Sequence, residues 1–271
     1  MVSLSALMSA VALTSTYSVA QAQQIIQKLP WDGRAGDLVN GLVTDKYLTY
    51  AFVRNDTSLT VADYVTIDHK GRPKGYNCDE GVINISVDGD AIKEAQTNFR
   101  RSGLMQLVAT NPNGETFIRT SFKKDEAFLN KYLWHVICDE MHFFDVVVDA
   151  SLDPPMIRYI NNLVWEPIWE TEFVPGTWYN FGIAFSGEPS GGVKLDFYTS
   201  EGLATLKHIA AKPIDKEFPT NIDFHIGPIA MSDDGGPLKM AEKPDVMSYS
   251  GVSISSDVST HPQFVGSPYC K

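Results

Sequence analysis

Basic residues are scarce in this chain of 271 residues. It carries 22 Lys and Arg against 33 Asp and Glu, a formal net charge of −11. Nucleic acid and anionic membrane surfaces are bound through clustered cations, so neither is expected as a partner. Cysteine is equally sparse, with Cys78, Cys138 and Cys270 and no C-x-x-C pair, which removes zinc-ribbon and dithiol redox readings. No internal repeat, low-complexity linker or long charge block breaks the chain. Nor does any apolar run reach the roughly 20 residues that a membrane-spanning helix needs. His135 and His142 stand too far apart for one face of a strand, so no metal and no cofactor is expected.

What is present is ordinary for a globular protein: 44% hydrophobic and 20% charged residues, enough to bury a sizeable core. Residues 1–22 hold no charged side chain, include the apolar stretch Leu4–Leu13 and end in Ala20-Gln21-Ala22. That is the pattern of an export signal with an A-x-A cleavage site, although no Lys or Arg precedes the apolar stretch. The reading is a secreted protein, with a signal peptide at 1–22 and a single domain at 23–271. Export permits a disulfide, for which Cys78–Cys270 is the expected pair. Cys138 lies in an apolar run and reads as a buried thiol.

The local pattern is β. Apolar and aromatic runs recur with turn residues between them: Gly81–Val87, Leu104–Ala109, Thr116–Phe122, Leu133–Cys138, Phe143–Val148, Met156–Ile160, Asn180–Ser186, Val193–Thr199 and Phe224–Ile229. Asn111-Pro112-Asn113-Gly114 suits a hairpin turn. Helical periodicity is weak, and the two best helix candidates, Lys124–Asn130 and Glu201–Ala210, are short. About ten strands with few short helices predict an all-β sandwich of two antiparallel sheets, a jelly roll.

Several segments carry a resemblance. Trp31-Asp32-Gly33-Arg34 follows the leader. Gln96-Thr97-Asn98-Phe99-Arg100-Arg101-Ser102-Gly103-Leu104 lies near residue 100. Val136–Phe143 contains Glu140, and Pro175-Gly176-Thr177-Trp178-Tyr179-Asn180-Phe181 and Phe224-His225-Ile226-Gly227 follow. In this order they resemble the fungal glycoside hydrolase family 131, secreted β-glucanases, across nearly the whole mature chain. The resemblance implies a jelly roll that acts on β-1,3-, β-1,6- or β-1,4-linked glucan. It also implies catalytic roles for Glu140 and His225. The family's Phe-Arg-Arg-Ala-Glu-Leu includes a glutamate thought to be catalytic, and here that position is Gly103.

Glycoside hydrolysis ordinarily uses two carboxyl groups across the scissile bond. Losing one leaves two readings open: a β-glucanase with impaired catalysis, or a β-glucan-binding protein on the same fold. A polysaccharide lyase ranks last, because a uronate needs a cationic groove and only Arg100 and Arg101 are at hand. Strand alternation places residues 136, 138, 140 and 142 on one face and 137, 139, 141 and 143 on the other, so Glu140 shares a face with His142. Glu140 sits in an apolar-aromatic segment where an acid is costly without a partner or a use. Arg100, Arg101 and His142 are candidate substrate-binding residues. Trp165 and Trp169 are added because they flank Glu166-Pro167 in a loop-like context and offer flat faces to a pyranose. Each also has a plain structural alternative, as a core aromatic, a satisfied histidine or a paired surface charge.

Overall fold

A computed structural model describes residues 25–38, 43–49, 56, 58–92, 95–189, 191–232 and 234–263. The leader at 1–22 and Cys270 lie outside them. Fifteen strands occur among the described residues: β1 (Trp31–Asp32), β2 (Val65–Asp68), β3 (Val82–Val87), β4 (Phe99–Arg101), β5 (Leu104–Ala109), β6 (Glu115–Lys123), β7 (Leu133–Asp139), β8 (Phe144–Asp149), β9 (Met156–Asn161), β10 (Trp169–Glu172), β11 (Tyr179–Gly187), β12 (Val193–Glu201), β13 (Lys207–Ile214), β14 (Asn221–Met231) and β15 (Asp245–Ser255). The helices among these residues are short 3₁₀ turns at Val43–Asp45 and Val61–Asp63.

The strands form two antiparallel sheets. One runs β13-β12-β11-β6-β15-β3-β2, with β1 also on β15. The other runs β10-β9-β8-β7-β14-β4, with β5 also on β14. Their facing sides supply one apolar core. Trp134, Phe144, Tyr159 and Phe224 come from the second sheet, and Phe122, Phe181, Phe197 and Tyr249 from the first. Tyr159 and Phe197 stack across the interface with centroids 3.8 Å apart. Each such side chain contributes about 1.5–3 kcal/mol by leaving water, and this burial dictates which face of every strand turns inward.

Two local expectations fail for physical reasons. Asn111–Gly114 does turn the chain, with Gly114 N donating to Asn111 O. The turn is not a hairpin, because β5 lies in one sheet and β6 in the other. Neither helix candidate forms: 124–130 is irregular, and 201–210 runs from the end of β12 through a turn into β13, which begins at Lys207. That strand is mostly exposed and, among the described residues, pairs with β12 alone. It needs no alternation, and its edge position tolerates Pro213.

The Trp31-Asp32-Gly33-Arg34 segment is tied down by Asp79. Its carboxylate accepts N–H bonds from Ala35, Gly36, Gly81 and Gly251 at 2.9–3.1 Å, so one buried side chain fastens the entry segment to β3 and β15. Cys78, next to it, is disulfide-bonded. Asp79→Ala orphans three buried donors, Ala35, Gly81 and Gly251, and the more exposed Gly36. Urea unfolding should show a loss of about 3 kcal/mol or more; a change within about 0.5 kcal/mol would mean that the clasp carries no stability.

Candidate active site

Strand β14 builds the site because it is paired along both edges. On one side His225 lies opposite Cys138 and Ile229 opposite His135, both on β7. On the other His225 lies opposite Met105 of β5 and Ile229 opposite Arg101 of β4. Even-numbered Phe224, Ile226 and Ala230 enter the core. The odd-numbered positions therefore face outward, and the outer face carries a depression of about 450 Å³. That lies within the ~300–1,000 Å³ typical of small-ligand sites. Arg101, His135, Glu140, His142, Trp165 and Met231 are among its lining residues.

The expected alternation along β7 holds only in part. Val136 and Ile137 both enter the core, at an irregularity where the register on β8 shifts between His135 and Ile137. Val136 is therefore not on the face of Cys138 and Glu140. His135 shares that face instead, together with His142 from the turn beyond.

Glu140 stands just past the end of β7, where its N–H donates to Asp223 O at 3.0 Å. Its Oε2 lies 3.6 Å from Arg101 Nη2 and 3.4 Å from His225 Nε2. Arg101 Nη2 is 2.9 Å from His225 Nδ1. A guanidinium only donates, so Nδ1 accepts and the ring proton sits on Nε2. That nitrogen faces two carboxylates, Glu140 and, at 3.1 Å, Asp223 Oδ1. The imidazole is buried, whereas the Glu140 side chain is 58% exposed. Glu140 is thus the group with open access to a ligand, and Arg101, His225 and Asp223 stand behind it.

The turn that presents Glu140 and His142 is closed by Asp139. Its carboxylate accepts from Met141 N at 3.0 Å and Phe144 N at 3.2 Å. Burial raises its pKa to about 7, against the lowering effect of the backbone N–H bonds. His142 contacts Asp145, whose hydrogen bond raises the imidazole's pKa. Cys138 is a free, buried thiol, pushed well above its ordinary pKa by desolvation.

The other sequence candidates separate cleanly. Arg100 does not reach the groove: it is buried and donates to the carbonyls of Gly89, Thr97, Phe99 and Leu238. Arginine spans several backbone acceptors at once, and here it stitches the β4 segment to its neighbours. Trp169 packs inward against Phe181 and Phe197, because on β10 it lies on the core side. Trp165, in the loop between β9 and β10, is half exposed at the groove and meets His135 edge-on. Gly103 is buried between β4 and β5 without a positive φ. An ideal Cβ on Gly227 would fall 2.6 Å from Gly103 Cα and 2.3 Å from Ser102 O, so the two backbones meet closely there.

Asp223 and Asp145 were missed, and His135 was set aside. Asp223 stands two residues before His225 on one strand, so alternation alone put both side chains on one face. Asp145 interrupts an apolar run, the same anomaly that singled out Glu140.

The fold is that of a group of glycoside hydrolases. The catalytic domain of a β-glucanase from Podospora anserina superposes with a TM-score of 0.64 at 20% identity, over 86% of this chain and 97% of that one. The family 131 catalytic domain from Coprinopsis cinerea gives 0.67 at 19% identity, over the same shares. The family model of the glycoside hydrolase 131 catalytic N-terminal domain matches residues 29–260, and the chain belongs to that family. A comparison with curated protein sequences found no match.

Asp139 makes stability depend on pH in a defined direction. Its folded pKa lies above the ordinary 3.8, so the folded state holds the proton more tightly. The stabilisation is complete below pH 4 and fades as pH rises through about 7. Wild type should therefore lose, relative to Asp139→Asn, a few kcal/mol between those limits. Parallel unfolding curves for the two proteins at pH 4 and pH 7 would contradict this.

Proposed function

We propose that this protein is an exported β-glucan-acting member of glycoside hydrolase family 131, comprising one catalytic-type domain, in which hydrolysis is weakened by the residue at position 103. The observation that carries the reading is that Glu140 and Arg101 line a sugar-sized groove on the outer sheet face and both meet the buried His225 behind it. Family membership and the β-glucanase named among the solved relatives supply the substrate class.

In this reading Glu140 is the catalytic carboxyl, and His225 acts with it. Arg101 donates to His225 Nδ1, which leaves the ring proton on Nε2, within 3.4 Å of Glu140 and 3.1 Å of Asp223 but not hydrogen-bonded to either. Arg101 also offers donors to ligand hydroxyls. Trp165 supplies an exposed aromatic face for a pyranose, and His142 lines the wall between them. Two-carboxylate chemistry asks for a second acid placed across the bond. In this reading Asp223 is not given that place, because it and Glu140 lie against the same His225 nitrogen, at 3.1 and 3.4 Å. General acid–base assistance is worth about 10²–10⁴-fold, so a deficit of that order is expected.

The second reading, a β-glucan-binding protein without catalysis, is favoured by Gly103 alone. Reducing-sugar release from laminarin, pustulan and a cello-oligosaccharide separates the two. Slow release abolished by Glu140→Gln supports hydrolysis. Background release with undiminished retention on insoluble glucan supports binding only. Absence of both sinks the β-glucan reading.

Restoring the acid tests the assignment of position 103. Gly103→Glu should raise hydrolysis about tenfold or more, with folding checked by its melting curve. A folded variant with an unchanged rate would show that position 103 is not where the second carboxyl belongs.

A further inference from the structure

Beside the Glu140 cluster, the hairpin of β7 and β8 holds a second polar group on the same outer face. Asp145 Oδ1 lies 2.9 Å from His135 Nδ1 and 3.0 Å from His142 Nδ1, and Oδ2 lies 3.2 Å from the latter. Both imidazoles turn the same nitrogen toward one carboxylate, and one ligand atom from each residue lies within 4.8 Å of the others. The Asp145 carboxylate is wholly buried, and its ion-pair partners among the described residues are these two imidazoles. A buried carboxylate is costly without positive charge beside it, and among the described residues only these two imidazoles stand where they could offset it. His135 is also buried, and its Nε2 has no hydrogen-bond partner among the described residues. The ring is held through Nδ1 and by edge contacts to His142 and Trp165.

We propose that His135, His142 and Asp145 bind one divalent transition-metal ion of the kind that prefers imidazole, zinc or copper. Two nitrogens and one carboxylate oxygen suit such ions and disfavour calcium and magnesium, which take oxygen ligands. Ligands about 2.0–2.2 Å from a tetrahedral ion stand about 3.3–3.6 Å apart. The two carboxylate–imidazole spacings, 2.9 and 3.0 Å, therefore need to open by only a few tenths of an ångström, and the two imidazole nitrogens, within 4.8 Å of each other, are brought to ligand spacing by the turn. The half-exposed His142 ring, on the turn, can provide that movement, while His135 and Asp145 form a buried base. The remaining coordination positions face the groove, where water or a sugar hydroxyl completes the shell. The ion fastens the turn that presents Glu140.

Titration of the chelator-treated full chain with Zn²⁺ in a calorimeter tests this without any glucan, so its failure is separate from failure of the hydrolytic reading. One ion per chain is expected, with no competition from Ca²⁺. His142→Ala lies on the exposed turn and should weaken binding about tenfold or more. His208→Ala should leave binding unchanged; it removes the surface histidine that pairs with Asp196. In the Cu²⁺-loaded protein, paramagnetic resonance should show hyperfine coupling to two nitrogens, which reports on His135 without mutating the core. Stoichiometric binding no tighter than about 100 µM, affinity that survives His142→Ala, loss of binding in His208→Ala, or coupling to fewer than two nitrogens would each overturn the proposal.

Discussion

Everything at the site depends on β14 being hydrogen-bonded along both edges. Arg101 comes from β4, His225 from β14 itself and Glu140 from just beyond β7. These positions are far apart in the chain and meet only because the three strands lie side by side in a fixed register. A slip of one residue on β14 would exchange its core and groove faces. It would drive His225 and Asp223 into the apolar interior and turn Phe224 and Ile226 out to water. Burial of those two side chains is therefore what holds the polar cluster in register. The same strand pays for its position with a glycine: Gly227, at φ +129°, runs against Ser102 and Gly103, where a side chain has no room.

The sequence made the sandwich legible where strands are buried on one or both faces. β5, β7, β8, β9, β11, β12 and β14 all emerge from runs of apolar or aromatic residues, because burial on the inner face demands them. The elements that escaped reading lack that imprint. β13 is an exposed edge. β15 is long and almost entirely buried, yet it is rich in serine, and its hydrogen bonds to β3 and β6 hold it in the middle of a sheet. The turn at Asn111 was visible as a turn, but its choice between joining paired strands and crossing between sheets is decided by long-range packing.

The site was legible to the extent that strand alternation is regular. Glu140 and His142 belong together as alternation indicated. His135 was dismissed by counting along a straight strand, and two departures from straightness brought it in. Val136 and Ile137 both turn inward, which rephases the face. The chain then folds back at Asp139, which sets the His142 ring 6.1 Å from that of His135. Arg100 and Trp169 failed as groove residues for the opposite reason. They follow their strand faces faithfully, and those faces lead to backbone carbonyls and to the core.

Three acids in this small region do three different kinds of work, and burial sorts them. Glu140 is exposed at the groove and answers to whatever binds there. Asp139 is buried on the other side of the strand and spends its carboxylate on backbone N–H groups, which shapes the turn. Asp145 is buried beneath two imidazoles and needs a positive charge that the backbone cannot give. A chain of net charge −11 gains nothing from adding uncompensated acids beneath its groove, so each must be held by a specific partner. Glu140 has Arg101 and His225; Asp139 has its ring of backbone donors. Asp145 alone has partners whose charge depends on what joins them, which is why the cation site belongs there and not at the more conspicuous cluster beside it.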